Sequence, residues 1–89
     1  MITNSELKYI KKLGRKKYRN LHSHFVVEGE KVFNDFFDSN IPIFKSYSTK
    51  QIKGQNPIIV TDNCMKRMTF LKTSSDVLGI FSMPMKKKA

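Results

Sequence analysis

The chain has 89 residues, with seventeen Lys or Arg against seven Asp or Glu, a formal charge of +10 and a pI near 10.0. That length supports one core and no second folded unit, and a hydrophobic content of 39% argues against wholesale disorder. One cysteine, Cys64, excludes an internal disulfide, and no run of about 18 apolar residues is present to cross a bilayer. The opening MITNSELKYIKK lacks the apolar stretch of a secretory signal, so a cytoplasmic location is expected.

The charge is concentrated early. Residues 8–19 hold seven Lys or Arg in twelve positions, and such a field attracts phosphates without reading sequence. Thr3 and Glu6 have capping-box spacing, which predicts a helix starting there. At 100° per residue Leu7, Ile10, Leu13, Gly14, Tyr18 and Leu21 fall in one stripe, with Lys8, Lys12, Arg15, Lys16 and Arg19 opposite. One continuous amphipathic helix is the expectation, its apolar face on the core and its cationic face toward water or phosphate. Lys17 projects from the apolar stripe, either snorkelling near the helix end or facing a groove. Tyr9 on the polar side and Tyr18 at the border are placed to lie beside a bound base.

Phe25, Val26 and Val27 predict a buried strand. Beyond Gly29, Val32, Phe33, Phe36 and Phe37 predict a helix covering the sheet, ended by Ser39, Asn40 and Pro42. Residues 43–47 alternate as a second strand, and residues 50–57 predict a loop with room for one helical turn. Ile58, Ile59 and Val60 predict a third strand, Asp62 the N-cap of a short helix carrying Met65 and Met68, and residues 78–83 a fourth strand stopped by Pro84. This order predicts an α/β layered domain over residues 1–84 with a mainly parallel sheet of about four strands. Residues 85–89 (MKKKA) are expected to open a linker.

No catalytic constellation is evident. His22 and His24 are two apart without companions to complete a metal site, and read as polar residues at a helix-to-strand turn. Cys64 reads as a partly buried thiol, and Glu28 as a strand-terminal carboxylate favoured by the next helix's N-terminus. The sequence has neither GxGxxG nor GxxxxGK[ST]. What remains is a basic surface interleaved with aromatics, and nucleic acid is the commonest partner of so basic a domain.

The combination KKYR…FVVEGEKVF, Lys16 to Arg19 and then Phe25 to Phe33, resembles the entry of the N-terminal substrate-binding domain of the SpoU (TrmH-type) RNA ribose methyltransferases. Lys17-Tyr18-Arg19 matches a Lys-x-Arg pattern in the first helix, and residues 25–29 the Phe-[Leu/Val]-Val-Glu-Gly strand and turn. Thr73, Val77, Leu78 and Gly79 match a Thr-Pro-Gln-Gly-[Ile/Val]-Leu-[Ala/Gly]-Val segment, where Ser74, Ser75 and Asp76 depart from it. The resemblance implies a small three-layer α/β/α domain like the ribosomal proteins that bind kink-turns, engaging rRNA or tRNA. It also implies a following catalytic domain that uses S-adenosylmethionine to methylate a ribose 2′-hydroxyl and forms a homodimer. None of that domain's motifs occurs in these residues, so catalytic and cofactor-binding residues are expected to be absent and the piece alone inactive and monomeric. Candidate RNA contacts are Lys12, Arg15, Lys16, Lys17 and Arg19, with no membrane partner. A free-standing ribosomal-type RNA-binding protein and a basic interaction module remain alternatives.

Overall fold

A computed structural model describes residues 2–52 and 54–83. Eight elements follow in order: α1 (Asn4–Lys12), α2 (Lys16–His22), β1 (His24–Glu28), α3 (Glu30–Asp38), β2 (Ile43–Ser48), β3 (Ile58–Ile59), α4 (Asp62–Met68) and β4 (Val77–Ser82). The expected linker at 85–89 and the stop at Pro84 lie outside the described residues.

The four strands form one sheet in the order β1-β4-β2-β3. β4 is antiparallel to both β1 and β2, and only β2 and β3 pair in parallel. The sheet is therefore mixed, not mainly parallel. β1 and β2 do run the same way, as the intervening helix implies. The last strand enters between them in the opposite sense, and periodicity carries no information about such an insertion.

β4 is the spine. Its first five residues are buried, and alternate side chains feed two cores on opposite faces. Leu78 and Ile80 join Ile10, Leu13, Tyr47, Val60, Met65 and Met68, which places α1 and α4 on one face. Val77 and Phe81 join Val27 and Phe33, which places α3 on the other. The three-layer α/β/α expectation holds. Gly79 is what lets α3 approach: a Cβ there would lie 2.6 Å from Phe33 Cε2 and 2.8 Å from Phe81 Cε1. Phe33 is fully buried and Phe36 packs at the edge of its cluster, whereas Phe37 remains 40% exposed with its ring stacked on Phe33. Ile59, expected inside, is 41% exposed because β3 is a short edge strand.

Two local expectations are corrected. The single N-terminal helix is two helices, broken across Leu13, Gly14 and Arg15. Gly14 sits against the Phe70 ring, where a Cβ would come within 2.7 Å of Cε1, and Arg15 is extended as the N-cap of α2 (φ −105°, ψ 133°). The break resets the helical phase, so Leu21, in register with the apolar stripe of a continuous helix, is 68% exposed. The second correction is the cap of α4: Thr61 occupies it, its hydroxyl accepting from the Cys64 N–H at 3.1 Å, while Asp62 opens the first turn. The loop between β2 and β3 closes one hydrogen-bonded turn, the Gln55 N–H donating to the Ile52 carbonyl at 3.1 Å, with Gly54 at φ +80° instead of helical.

Candidate nucleic-acid interface

The capping box forms as the sequence predicts. Thr3 Oγ1 accepts from the Glu6 N–H at 3.1 Å, and Glu6 Oε1 accepts from the Thr3 N–H at 3.0 Å. Glu6 also reaches into the sheet. Its Oε2 accepts from Tyr47 Oη at 3.0 Å and from Lys45 Nζ at 3.2 Å. The Thr3 N–H, with help from Lys45 and Tyr47, holds the Glu6 pKa down to about 2 despite partial desolvation. Burial and the adjacent carboxylate push the Tyr47 hydroxyl up. Glu6 is thus an ionised brace joining α1 to β2.

The break between α1 and α2 distributes the basic residues over two helices instead of one continuous face. Lys8, Lys11, Lys12 and Arg15 line an open groove of about 480 Å³ with Leu7 and Tyr18. The ammonium groups of Lys12 and Lys17 each stand 5.6 Å from the centroid of the Tyr18 ring, within cation–π range. Of the five residues singled out by sequence, Lys12 and Arg15 line the groove, Lys17 flanks its tyrosine, and Lys16 is exposed on α2. Arg19 is elsewhere. Its Nη1 donates to the Leu13 carbonyl at 3.0 Å, and it borders a separate cavity with Gly14, Phe25 and Phe70. The residue matching the family arginine thus closes the helix break.

Lys11, absent from the sequence candidates, donates to the Thr69 carbonyl at 2.9 Å and lies 4.9 Å from the Phe70 ring centroid. Glu28 reaches the same loop, accepting from Thr69 Oγ1 and from the Phe70 N–H at 3.0 Å. Its carboxylate fastens the segment after α4 instead of serving α3. His22 and His24 have no metal-binding companions among the described residues. They belong to a file of rings: Tyr18 stacks on His22, His22 meets Tyr9 edge-on at 5.1 Å, and Tyr9 Oη hydrogen-bonds His24 Nδ1. Burial, and then the neighbouring His22, lowers the His24 pKa, so a neutral ring accepting from the tyrosine is favoured. Cys64 is partly buried, its Sγ 4.0 Å from Met68 Sδ.

A small α/β/α domain with a lysine- and arginine-lined groove at its N-terminal helices is the class these observations define. Residues 4–79 match the family model of the MRM3-like substrate binding domain, and the chain belongs to that family. No curated protein matches it by sequence. Three solved structures share the fold. A protein assigned to the TrmH family of RNA methyltransferases from Porphyromonas gingivalis superposes with a TM-score of 0.83 at 18% identity, over 99% of this chain and 38% of its own. An RNA 2′-O ribose methyltransferase does so with 0.74 at 16%, over 96% and 37%. An rRNA methyltransferase from Sinorhizobium meliloti gives 0.76 at 23%, over 97% and 36%. The chain therefore spans less than two-fifths of each of these proteins.

Proposed function

We propose that this chain is the RNA-recognition part of a ribose 2′-O-methyltransferase, holding rRNA or tRNA through the groove between α1 and α2. The observation that carries the reading is the open groove lined by Lys8, Lys11, Lys12, Arg15 and Tyr18, in a domain of a substrate-binding family. Phosphates neutralise the cations while the tyrosine offers a face to a base. Methyl transfer, S-adenosylmethionine and homodimerisation belong in this reading to a catalytic domain of a cytoplasmic parent protein. The groove itself suits phosphate and not that cofactor, whose sulfonium is positive like the groove's own side chains, so no chemical step is assigned to these residues.

The test is a filter-binding titration with structured RNA over a range of salt. Affinity should fall with a log–log slope of about −0.7 to −0.9 per phosphate contact. Replacing Lys12 and Arg15 together by Ala should flatten the slope by roughly one to two units and weaken different RNAs alike. Polyglutamate of matched charge should compete poorly. Unchanged affinity and slope in the folded double variant, or equal binding of polyglutamate, would sink the proposal.

A further inference from the structure

The file of rings does not end at His24. The imidazole stacks on Phe44, centroids 4.4 Å apart and planes 25° from parallel, and the Phe44 ring is 49% exposed on β2. The Phe44 ring is thus held face-on by one neighbouring ring while half of its surface stays available to a further stacking partner. Beside it lies a recess of about 210 Å³, walled by Phe44, Tyr9, Tyr47 and Ile80, with Glu6 and Lys45 at its rim. Sites for drug-sized ligands run to roughly 300–1,000 Å³, so this one is scaled to a single planar ring. Ser5 also lines it, and two of its polar groups are held in place. The Glu6 carboxylate is tied to Thr3, Lys45 and Tyr47, leaving acceptor capacity for the amino edge of a base, and the Lys45 ammonium, 5.8 Å from the Phe44 centroid, supplies a donor.

We propose that this recess receives one unpaired nucleobase, stacked on Phe44 and presenting its edge to Glu6 and Lys45. The proposal rests on the RNA reading and sharpens it from phosphate attraction to recognition of a single-stranded nucleotide. Charge and geometry favour this occupant. The line of rings from Tyr18 through His22, Tyr9 and His24 to Phe44 connects the cationic groove to the recess. A strand whose phosphates lie in the groove therefore has a continuous aromatic path toward the pocket.

The experiment compares two RNAs of one stem sequence, a hairpin carrying 2-aminopurine in its loop and a blunt duplex with no unpaired base. With the wild-type chain, hairpin binding should quench the 2-aminopurine emission. Phe44→Ala should weaken the hairpin roughly 5- to 100-fold, the range of base–aromatic stacking, abolish the quench, and leave duplex affinity and both salt slopes within error. Phe44→Tyr should restore both readouts. Phe44→Leu, which keeps the apolar bulk and so guards against a folding defect, should remain unquenched. Hairpin affinity and quench unchanged in Phe44→Leu, or hairpin and duplex weakened equally by Phe44→Ala, overturns the proposal while salt-dependent duplex binding leaves the RNA reading standing. Loss of salt-dependent binding to both RNAs in the wild type overturns both.

Discussion

Single side chains in this domain carry two jobs at once, and Glu6 shows how they can be separated. It caps α1 and braces Lys45 and Tyr47 across the sheet. Its folded pKa, about 2 against an ordinary 4.5, means the native state prefers the ionised form. That contribution is fully present above about pH 4.5 and is lost as pH falls toward 2. Glu6→Gln should be less stable than wild type at pH 7, and the gap in unfolding free energy should narrow over that acid window; a gap constant with pH would deny the brace its ionic character. The two packed glycines separate differently. Gly79→Ala drives a methyl into two fully buried rings and should cost about 1–3 kcal/mol. Gly14→Ala meets the Phe70 ring and, at 3.3 Å, the Lys11 carbonyl, but the ring is 45% exposed and can turn toward solvent, and the alanine gains from a less disordered unfolded chain. Urea unfolding should place that variant within about 1 kcal/mol of wild type.

The break between α1 and α2 decides what the basic residues do. Arg15 and Arg19 look equivalent on a helical wheel, yet one lines the groove and the other donates to the Leu13 carbonyl. Arg19→Ala should therefore lower stability by about 1–2 kcal/mol, as for a lost hydrogen bond to a charged donor, while Arg15→Ala should change it by less than about 0.5 kcal/mol. Thermal melts of the two single variants give the answer, and equal effects would contradict the assigned roles. The sequence signals that succeeded are local ones. The Thr3/Glu6 box, the Phe25-Val26-Val27 strand, the Phe33 face of α3 and the stop at Asn40, which adopts φ +62°, all follow from periodicity or capping. What escaped depends on contacts distant in sequence. Gly14 breaks the helix against Phe70, β4 inserts between β1 and β2, and Glu28 fastens a loop forty-two positions away. Phe44 escaped as well, because the β2–β4 register slips between Ile43 and Lys45, and strand alternation does not foresee a bulge that sets this ring beside Lys45, Tyr47 and Tyr9.

At the scale of the whole molecule the cations are poorly compensated. A net charge of +10 is set against three ion pairs among the described residues, Lys45–Glu6, Lys50–Glu30 and Lys50–Asp76. The last two share one lysine, span 3.8–3.9 Å and involve exposed side chains, so they add little. Self-repulsion should therefore outweigh attraction in the free protein, concentrated where Lys8, Lys11, Lys12 and Arg15 line the groove. Sodium chloride screens that repulsion over a Debye length of about 10 Å at 0.1 M. Raising it from about 50 to 300 mM should lift Tm by a few degrees, since about 1 kcal/mol corresponds to roughly 4–8 °C in a domain of this size. RNA affinity should fall across the same range, because the phosphate contacts that relieve the repulsion are the ones salt displaces. Opposite signs of the two salt dependences would tie the instability of the free domain to its binding surface. A Tm that drops with salt would mean that the ion pairs, Glu6–Lys45 foremost, dominate the electrostatics, and that the basic groove carries no strain for a polyanion to release.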